Sequence, residues 1–295
     1  MWMLTVGDLI ISLCMLAGIL TVALLGSLFL MHLQAKKLQE VRFFCPDTNT
    51  EKGYLKFAFI TDLHFPLMPY DSGEIVRRIA VSDCDAVLIG GDLCQNGKGK
   101  NEMLAFMRAL SKEVNAPIYV VLGNHDNYAV CKLSEDAIKA YSQEVMSCGD
   151  NITVLSDEAV FVTCENGKKV MVGGLRDARI VDKEQTRRLV NEWNLKAASC
   201  GAELVLLTHN PDVVTMVDDN CCRIILCGHT HGGQVYMPFS IEFKILRHDI
   251  LPKEGYKYGF CDYKGKNKLF ISCGAGCSLL PIRFKTAPEI VYVHI

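Results

Sequence analysis

The fold can be read outward from one stretch, Arg223-Ile224-Ile225-Leu226-Cys227-Gly228-His229-Thr230-His231-Gly232-Gly233-Gln234. The apolar run at its start predicts a buried strand. His229 and His231 follow at once, so they are expected at the carboxyl edge of a sheet, where open α/β folds bind ligands. The flanking glycines permit positive φ, which lets two imidazoles one residue apart reach the same small volume. The motif therefore predicts a ligand site that needs partners from elsewhere in the chain.

Other apolar runs end in the same way, in acids, amides or imidazoles. The runs are Tyr54 to Ile60, Asp85 to Ile89, Pro117 to Leu122 and Glu203 to Thr208, and the groups that follow them are Asp62 and His64, then Asp92, then Asn124, His125 and Asp126, then His209. Helical periodicity lies between the runs, for example over 72–81 and 101–114. Strand, polar tip and helix thus recur in order, which predicts βα units and a partly parallel sheet in an α/β fold.

Taken singly, these polar residues have ordinary structural explanations. Asp92 fits a helix N-cap as well as a metal ligand, and a lone His209 is more often structural than a ligand. However, an acid directly after an apolar strand and two glycines is poorly solvated unless another group offsets its charge. The prediction of a site therefore depends on the repetition of such groups at successive strand ends.

Composition limits the partners of the chain and the roles of its cysteines. The chain has 295 residues, enough for one large domain, and its 31 basic and 33 acidic side chains show no long run of either sign. No nucleic-acid partner is predicted, because no broad positive field is present. The 14 cysteines show no regular framework. Cys221-Cys222 and Cys273 with Cys277 are conceivable metal or redox pairs, but small buried side chains are the favoured interpretation.

Leu9 to Met31 carries no charge and consists mostly of apolar residues. At a rise of about 1.5 Å per residue, it is long enough to cross a hydrocarbon layer of roughly 30 Å. We therefore predict a transmembrane anchor over 1–33, a linker over 34–52 and a catalytic domain over 53–295. A cleaved signal peptide is the alternative, but the start lacks basic residues and a good cleavage site.

The positive charges that follow the span predict its orientation. They are Lys36, Lys37 and Arg42, and by the positive-inside rule they place the catalytic part in the cytoplasm of a single-pass cell-membrane protein.

The sequence supports three further predictions, two of which leave alternatives open. Tyr236 to Tyr263 mixes apolar and basic residues without clear periodicity, so it predicts either a cap or membrane-contacting segment or an ordinary loop. Arg176 would contact an anionic substrate or form a surface salt bridge, the second being favoured. Two short apolar runs flank Glu165-Asn166-Gly167 and predict a β-hairpin.

Five motifs occur in a characteristic order: Asp62-Leu63-His64, Gly90-Gly91-Asp92, Gly123-Asn124-His125-Asp126, a downstream His209, and Gly228-His229-Thr230-His231. Together they resemble the calcineurin-like metallophosphoesterase superfamily, and the resemblance extends from about Leu55 to the C-terminus. It implies a four-layer α/β/β/α sandwich of mixed sheets.

The resemblance also implies a site for two divalent metal ions. Asp62, His64, Asp92 and His231 would bind the first ion, and Asp92 (as the bridge), Asn124, His209 and His229 the second. Carboxylate, amide and imidazole ligands suit Mn²⁺, Fe, Zn²⁺ or Co²⁺ better than a thiolate-rich structural zinc. His125 would protonate the leaving group or stabilise charge in the transition state. Asp126 would orient His125 or another group around the site.

The implied reaction is two-metal hydrolysis of a phosphodiester or pyrophosphate. The N-terminal span, 208–212, 228–234 and 280–290 resemble a bacterial branch of membrane-anchored phosphodiesterases, which includes enzymes that cleave the pyrophosphate of UDP-2,3-diacylglucosamine. A phosphorylated small molecule or lipid substrate and the membrane are thus the expected partners. A non-catalytic metal-binding scaffold and a membrane protein with only structural metal are the alternatives, and the complete residue set disfavours both.

Overall fold

The computed structural model describes residues 6–46, 48, 54–164, 167–245 and 249–295. The helices are α1 (Val6–Ala35), α2 (Gly73–Ala80), α3 (Lys100–Glu113), α4 (Glu135–Met146), α5 (Lys183–Ser199), α6 (Ile241–Lys244) and α7 (Ile250–Lys253). The strands are β1 (Gln39–Phe44), β2 (Lys56–Ile60), β3 (Ala86–Ile89), β4 (Ile118–Val120), β5 (Ile152–Val154), β6 (Glu158–Thr163), β7 (Lys169–Gly174), β8 (Glu203–Leu207), β9 (Ile224–Cys227), β10 (Gly259–Tyr263), β11 (Asn267–Ile271) and β12 (Glu289–His294).

Within these residues the strands form two mixed sheets. The first has the order β1-β12-β2-β3-β4-β5, in which β2 to β5 are parallel and β12 is antiparallel to β2. The second has the order β10-β11-β9-β8-β7-β6, with a parallel centre and antiparallel pairs at both edges. The central parallel strands are the apolar runs that the sequence identifies, because strands buried on both faces need continuous apolar sequence.

The two sheets pack face to face and carry helices on their outer faces. Phe57, Phe59 and Leu88 of the first sheet meet Val172 and Leu207 of the second in one buried cluster. A second cluster joins the first sheet to α2, α3 and α4, and a third joins the second sheet to α5. The predicted four-layer α/β/β/α architecture is confirmed.

The helices follow their sequence signals. Met103, Phe106, Met107 and Leu110 of α3 are all buried, as their helical spacing predicts. At the starts of α4 and α5, the side chains of Ser134 and Asp182 accept hydrogen bonds from backbone amides three residues further on. Such caps satisfy amides that have no partner within the helix.

One predicted boundary is wrong. Residues 39–44, assigned to the linker 34–52, form β1, which pairs in parallel with β12, so the folded domain does not begin at residue 53. Val41 and Phe43 pack against the inter-sheet cluster, whereas Arg42 and Phe44 face outward. An edge strand buried on one face has a weak sequence signal, because polar and apolar residues alternate in only a few positions. Residues 47 and 49–53 lie outside the described part of the chain.

The hairpin prediction is confirmed in its strands, since β6 and β7 pair in antiparallel fashion. Glu165 and Asn166 of the expected turn lie outside the described residues. The strands β5 and β10 are not predicted by the sequence, because each is short and has little continuous apolar sequence.

Helix α1 is the predicted apolar span. The stretch Gly7–Ala35 is long and apolar enough to cross a membrane, and none of its most apolar part is buried against the domain. A long apolar helix near the start of a chain also fits the alternative of a signal sequence. The C-terminal end of α1 is attached to the domain, since Arg283 N donates to Met31 O (3.0 Å).

Candidate metal centre

The predicted ligands come together at one edge of the sandwich. Strands β2, β3 and β4 of the first sheet and β8 and β9 of the second deliver them, because the carboxyl ends of parallel strands meet at a common edge. The side chains that are buried there are those of Asp62, His64, Asp92, His209, His229 and His231. Asn124 is partly buried beside His209. The structure thus brings all seven predicted ligands into one site.

The first group of possible metal-donor atoms, here called the first donor group, comes from the loops after β2 and β9. His231 Nε2 lies 3.3 Å from Asp62 Oδ1, and His64 Nε2 lies 3.0 Å from His231 Nε2. His64 Nε2 is also 3.5 Å from Asp92 Oδ2. The donor atoms of Asp62, His64 and His231 lie within 4.8 Å of one another, an arrangement that can hold a metal ion.

The second group of donors lies on the other side of Asp92. His209 Nε2 is 3.2 Å from Asp92 Oδ2 and 3.2 Å from Asn124 Oδ1. His229 directs Nδ1 into the same group, at 3.2 Å from His209 Nε2. One carboxylate oxygen, Asp92 Oδ2, therefore faces both groups.

The electrostatics of this pocket favour bound positive charge. Burial alone would raise the pKa of Asp62, but the charge of His231 and a hydrogen bond with His64 hold it well below its usual range. Burial likewise opposes the ionised form of Asp92, whose pKa is nevertheless lowered by His209. Burial would lower the pKa of His209, yet the charge of Asp92 raises it to about 10. Two buried carboxylates among close imidazole nitrogens fit divalent cations.

Five of the seven predicted ligands have a backbone conformation that is unusual for residues with a side chain. Asp62, His64, Asp92, His229 and His231 all adopt positive φ, between 48° and 69°. Such conformations are uncommon for residues with a side chain and persist only where surrounding structure enforces them, often at functional sites.

Close packing of the loops after β3 and β4 explains the glycine at position 123. A Cβ atom on Gly123 would lie 2.2 Å from Asp92 Oδ1, so the loops after β3 and β4 approach each other at a distance that only glycine allows.

Asp126 links the loops after β3 and β4 through hydrogen bonds. Its carboxylate is buried and accepts hydrogen bonds from the amides of Leu93 (3.1 Å), Gly123 (3.0 Å) and Cys94 (3.4 Å). Burial raises the pKa of Asp126 to about 7, against the effect of these amides. Asn96 contacts the His125 ring, with Asn96 Oδ1 2.7 Å from His125 Nδ1, so the other role expected of Asp126, the orientation of another group around the site, fits better. Asp126 positions the loop that carries Asp92.

His125 lies beside the first donor group, at the boundary between the ligands and solvent. Its ring is half-buried and packs edge-on against that of His64, with 4.8 Å between centroids. Its backbone amide donates to Asp92 Oδ1 (2.8 Å). Burial lowers the pKa of the His125 imidazole.

Two residues near the site, Asp249 and Arg179, were not predicted from the sequence. Asp249 Oδ1 lies 3.1 Å from His229 Nε2 and 2.7 Å from Arg179 Nη2, so the carboxylate can accept a hydrogen bond from each. Its pKa is lowered despite burial, chiefly by the hydrogen bond with His229. A carboxylate behind a histidine helps to hold the ring orientation, which here directs Nδ1 toward His209. Arg179 Nη2 also lies 2.9 Å from His229 Nε2. Asp249 lies in a segment without periodicity, and no local signal could have identified it.

Arg176, the arginine considered from the sequence, lies in a different environment from Arg179. Arg176 forms salt bridges with Asp157 (2.8 Å) and Glu135 (2.9 Å), which confirms the structural interpretation. Arg179 instead lines a cleft of about 570 Å³ that opens beside the donor groups. His125, Ile250 and Ser278 line the same cleft.

Cysteines take no part in the site. All fourteen are free thiols, and the possible metal-binding groups among the described residues contain only histidines and aspartates. The favoured interpretation of Cys273 and Cys277 as buried side chains is confirmed.

Comparison with known proteins shows what the chain is similar to. The family model described as "Calcineurin-like phosphoesterase" matches residues 55–233, which include every proposed ligand. An uncharacterized metallophosphoesterase of Helicobacter pylori (strain J99) is 26% identical over 90% of this chain, and the chain spans 66% of that relative's length. Phosphodiesterase YaeI of Escherichia coli (strain K12) is 26% identical, with 81% of this chain and 82% of the relative covered. The uncharacterized protein YpbG of Bacillus subtilis is also 26% identical, over 93% of this chain and 94% of its own.

Among solved structures, the protein TT1561 of Thermus thermophilus aligns with 75% of this chain and 91% of its own, at 13% identity and a TM-score of 0.45.

The position of Asp92 between the two donor groups leads to a first prediction. Asp92→Asn removes the charge that faces both donor groups, so the purified protein should retain little divalent metal under conditions that load the unsubstituted chain. Elemental analysis after equilibrium dialysis measures this. Asp262→Asn, at an exposed position on β10, is the matched control and should bind metal normally. Full metal occupancy in Asp92→Asn would refute the shared role.

The contact between Asp249 and His229 leads to a second prediction. Asp249→Ala should weaken metal binding by roughly 10- to 100-fold, the usual effect of removing a carboxylate behind a ligating histidine. Asp249→Asn keeps an acceptor oxygen and should show a smaller loss. Metal titration measures both variants, with Asp262→Ala as the control and thermal unfolding as the check on folding. An unchanged dissociation constant in Asp249→Ala would show that His229 is positioned by other contacts.

Proposed function

The chain belongs to the calcineurin-like phosphoesterase family, and on that premise we propose that it hydrolyses a phosphodiester or pyrophosphate with two divalent metal ions. The observation that carries the proposal is the position of Asp92 Oδ2, 3.5 Å from His64 Nε2 and 3.2 Å from His209 Nε2. A carboxylate oxygen between two donor groups suits a bridge between two ions. When bound, such ions activate water and stabilise the charge of a transferring phosphoryl group.

The ligand assignment follows from the two donor groups. The first ion would be held by Asp62, His64, Asp92 and His231, and the second by Asp92, Asn124, His209 and His229. The mixture of carboxylate, amide and imidazole is compatible with Mn²⁺, Fe, Zn²⁺ or Co²⁺.

His125 is proposed as the proton donor to the leaving group. It lines the cleft next to the ligands but lies outside the two proposed ligand sets. Asn96 engages its Nδ1, which leaves Nε2 as the ring atom available to the substrate. Burial lowers the pKa of His125, which makes its protonated ring a stronger acid but reduces the protonated fraction at neutral pH.

Arg179 is proposed to bind a phosphate of the substrate. Its side chain is partly exposed in the cleft, and Asp249 holds one end of the guanidinium (2.7 Å). The other N–H groups can still donate, and guanidinium groups bind phosphate through several parallel hydrogen bonds. An arginine next to the donor groups suits a substrate with a second phosphate, such as a pyrophosphate.

We also propose that the chain is anchored in the cell membrane by its N-terminal helix and acts on a lipid-linked substrate, for which UDP-2,3-diacylglucosamine is the example. The candidate span Gly7–Ala35 supports the anchor. Lys36, Lys37 and Arg42 follow the span and favour a cytoplasmic catalytic domain. An anchored enzyme meets such a substrate within the plane of the membrane.

The activity itself is the third prediction. The detergent-solubilised full chain should hydrolyse bis-p-nitrophenyl phosphate with added Mn²⁺. Chelation should abolish turnover, and renewed metal should restore it. Turnover is measured by release of p-nitrophenol, with Asp92→Asn as the inactive reference. A protein that binds metal fully but never turns over substrate would be the non-catalytic scaffold instead.

The role of His125 is the fourth prediction. His125→Ala should lower kcat at least a hundredfold, because a positioned general acid typically contributes 10²- to 10⁴-fold. Metal content should remain near normal, since His125 is outside the proposed ligand sets. His125→Asn should be equally slow, because its amide cannot transfer a proton at neutral pH. Full turnover in either variant would exclude this role.

A further inference from the structure

Exposed apolar side chains occur on the loop that contacts the end of α1 and on the segment paired with that loop. We call them the rim face and define it by six residues: Tyr236, Phe239, Ile245, Leu279, Leu280 and Phe284. Phe239 is 82% exposed and Leu279 is 76% exposed, so these side chains pack against little of the protein. A contiguous exposed apolar patch commonly marks an interaction surface, whereas scattered single residues do not.

The rim face is joined directly to the end of the candidate span. Arg283 N donates to Met31 O (3.0 Å), and His32 Nδ1 lies 2.8 Å from Pro281 O. Lys285 N also donates to Gln34 Oε1 (3.4 Å). The loop that carries Leu279, Leu280 and Phe284 is therefore held against the last turn of α1.

The two segments that form the rim face are bound to each other. Tyr236 N donates to Phe284 O (3.1 Å), and Phe284 N donates to Gln234 O (2.8 Å). Lys285 Nζ lies 4.5 Å from the centre of the Tyr236 ring. Tyr236 thus lies beside the loop at 279–285, and Phe239 and Ile245 follow it along the same segment.

The length of the span sets the depth of this surface. Leu9 to Met31 extends about 35 Å at a rise of about 1.5 Å per residue, slightly more than the hydrocarbon thickness. Residues bonded to Met31 and His32 therefore lie where the helix leaves the hydrocarbon. Lys285 and Lys244 on the same segments suit an anionic headgroup layer, since basic side chains extend toward lipid phosphates.

The rim face also adjoins the cleft. Gln234 follows the ligand loop with His229 and His231, and its side chain donates to Ser278 O (2.8 Å) and Leu280 O (3.1 Å). Ser278 and Ile250 line the cleft beside the donor groups. The mouth of the cleft and the apolar side chains thus occupy the same side of the domain.

We propose that the rim face rests on an anionic lipid bilayer and holds the mouth of the cleft at the membrane surface. This inference rests on the anchoring proposed above and adds a second, peripheral contact to it. A lipid-linked phosphate could then enter the cleft while its acyl chains stay in the membrane. The apolar side chains would exchange water for lipid, which is favourable in proportion to the apolar surface removed from water.

Lipid quenching of tryptophan fluorescence tests this contact. Trp2→Phe removes one native tryptophan, and the buried Trp193 provides a constant background. In that background, Phe239→Trp and Leu279→Trp report on the rim face, and Leu20→Trp reports on α1. Val81→Trp and Leu195→Trp are matched controls, because both positions are exposed and apolar (84% and 72%) and lie on α2's end and on α5.

Each full-length variant is reconstituted in phosphatidylcholine–phosphatidylglycerol vesicles whose lipids are brominated near the headgroup or, for the variant at 20, near the ends of the acyl chains. Tryptophans at 239 and 279 should be quenched at least twice as strongly as those at 81 and 195. Quenching at 20 but only control-level quenching at 239 and 279 would overturn the rim-face contact and leave the anchor intact. No quenching at 20 would overturn the anchor and the contact together. Hydrolysis of bis-p-nitrophenyl phosphate by the same samples reports separately on the proposed activity.

Discussion

The structure depends on compensation for a buried charge. Asp92 is almost wholly enclosed, yet its environment keeps it ionised. Buried charge is tolerated only when opposite charge or several hydrogen-bond donors surround it. The amide of His125 and the imidazole of His209, which lie on different loops, meet that requirement together with the proposed cations. The convergence of strand ends is therefore as much an electrostatic necessity as a topological one.

Rigid support for the loops follows from the same requirement. Five ligands hold backbone conformations that cost free energy, so their geometry must be enforced by neighbours. Asp126 binds three backbone amides of the loops after β3 and β4, and Gly123 permits the close approach of these loops. Asp249 performs the corresponding task for His229 from outside the donor group. Positioning groups thus surround the ligands on both sides.

Much of this was predictable where a polar residue directly follows an apolar run. Asp62, Asp92 and His229 are identifiable because a strand end fixes where the next side chains lie. The pairing of strands that are distant in sequence gives no local sequence signal. For this reason the sequence assigns β1, which pairs with β12, to a linker. The functions of Asn96 and Asp249 depend on contacts 29 and 20 residues away in sequence, and neither lies in a periodic segment.

The most direct test of the account is the number and position of bound metal ions. Crystals of the protein grown with Mn²⁺ should give two anomalous scattering peaks on opposite sides of Asp92 Oδ2. One peak should lie among Asp62, His64 and His231, and the other among Asn124, His209 and His229. A single peak, or peaks remote from these side chains, would contradict the account.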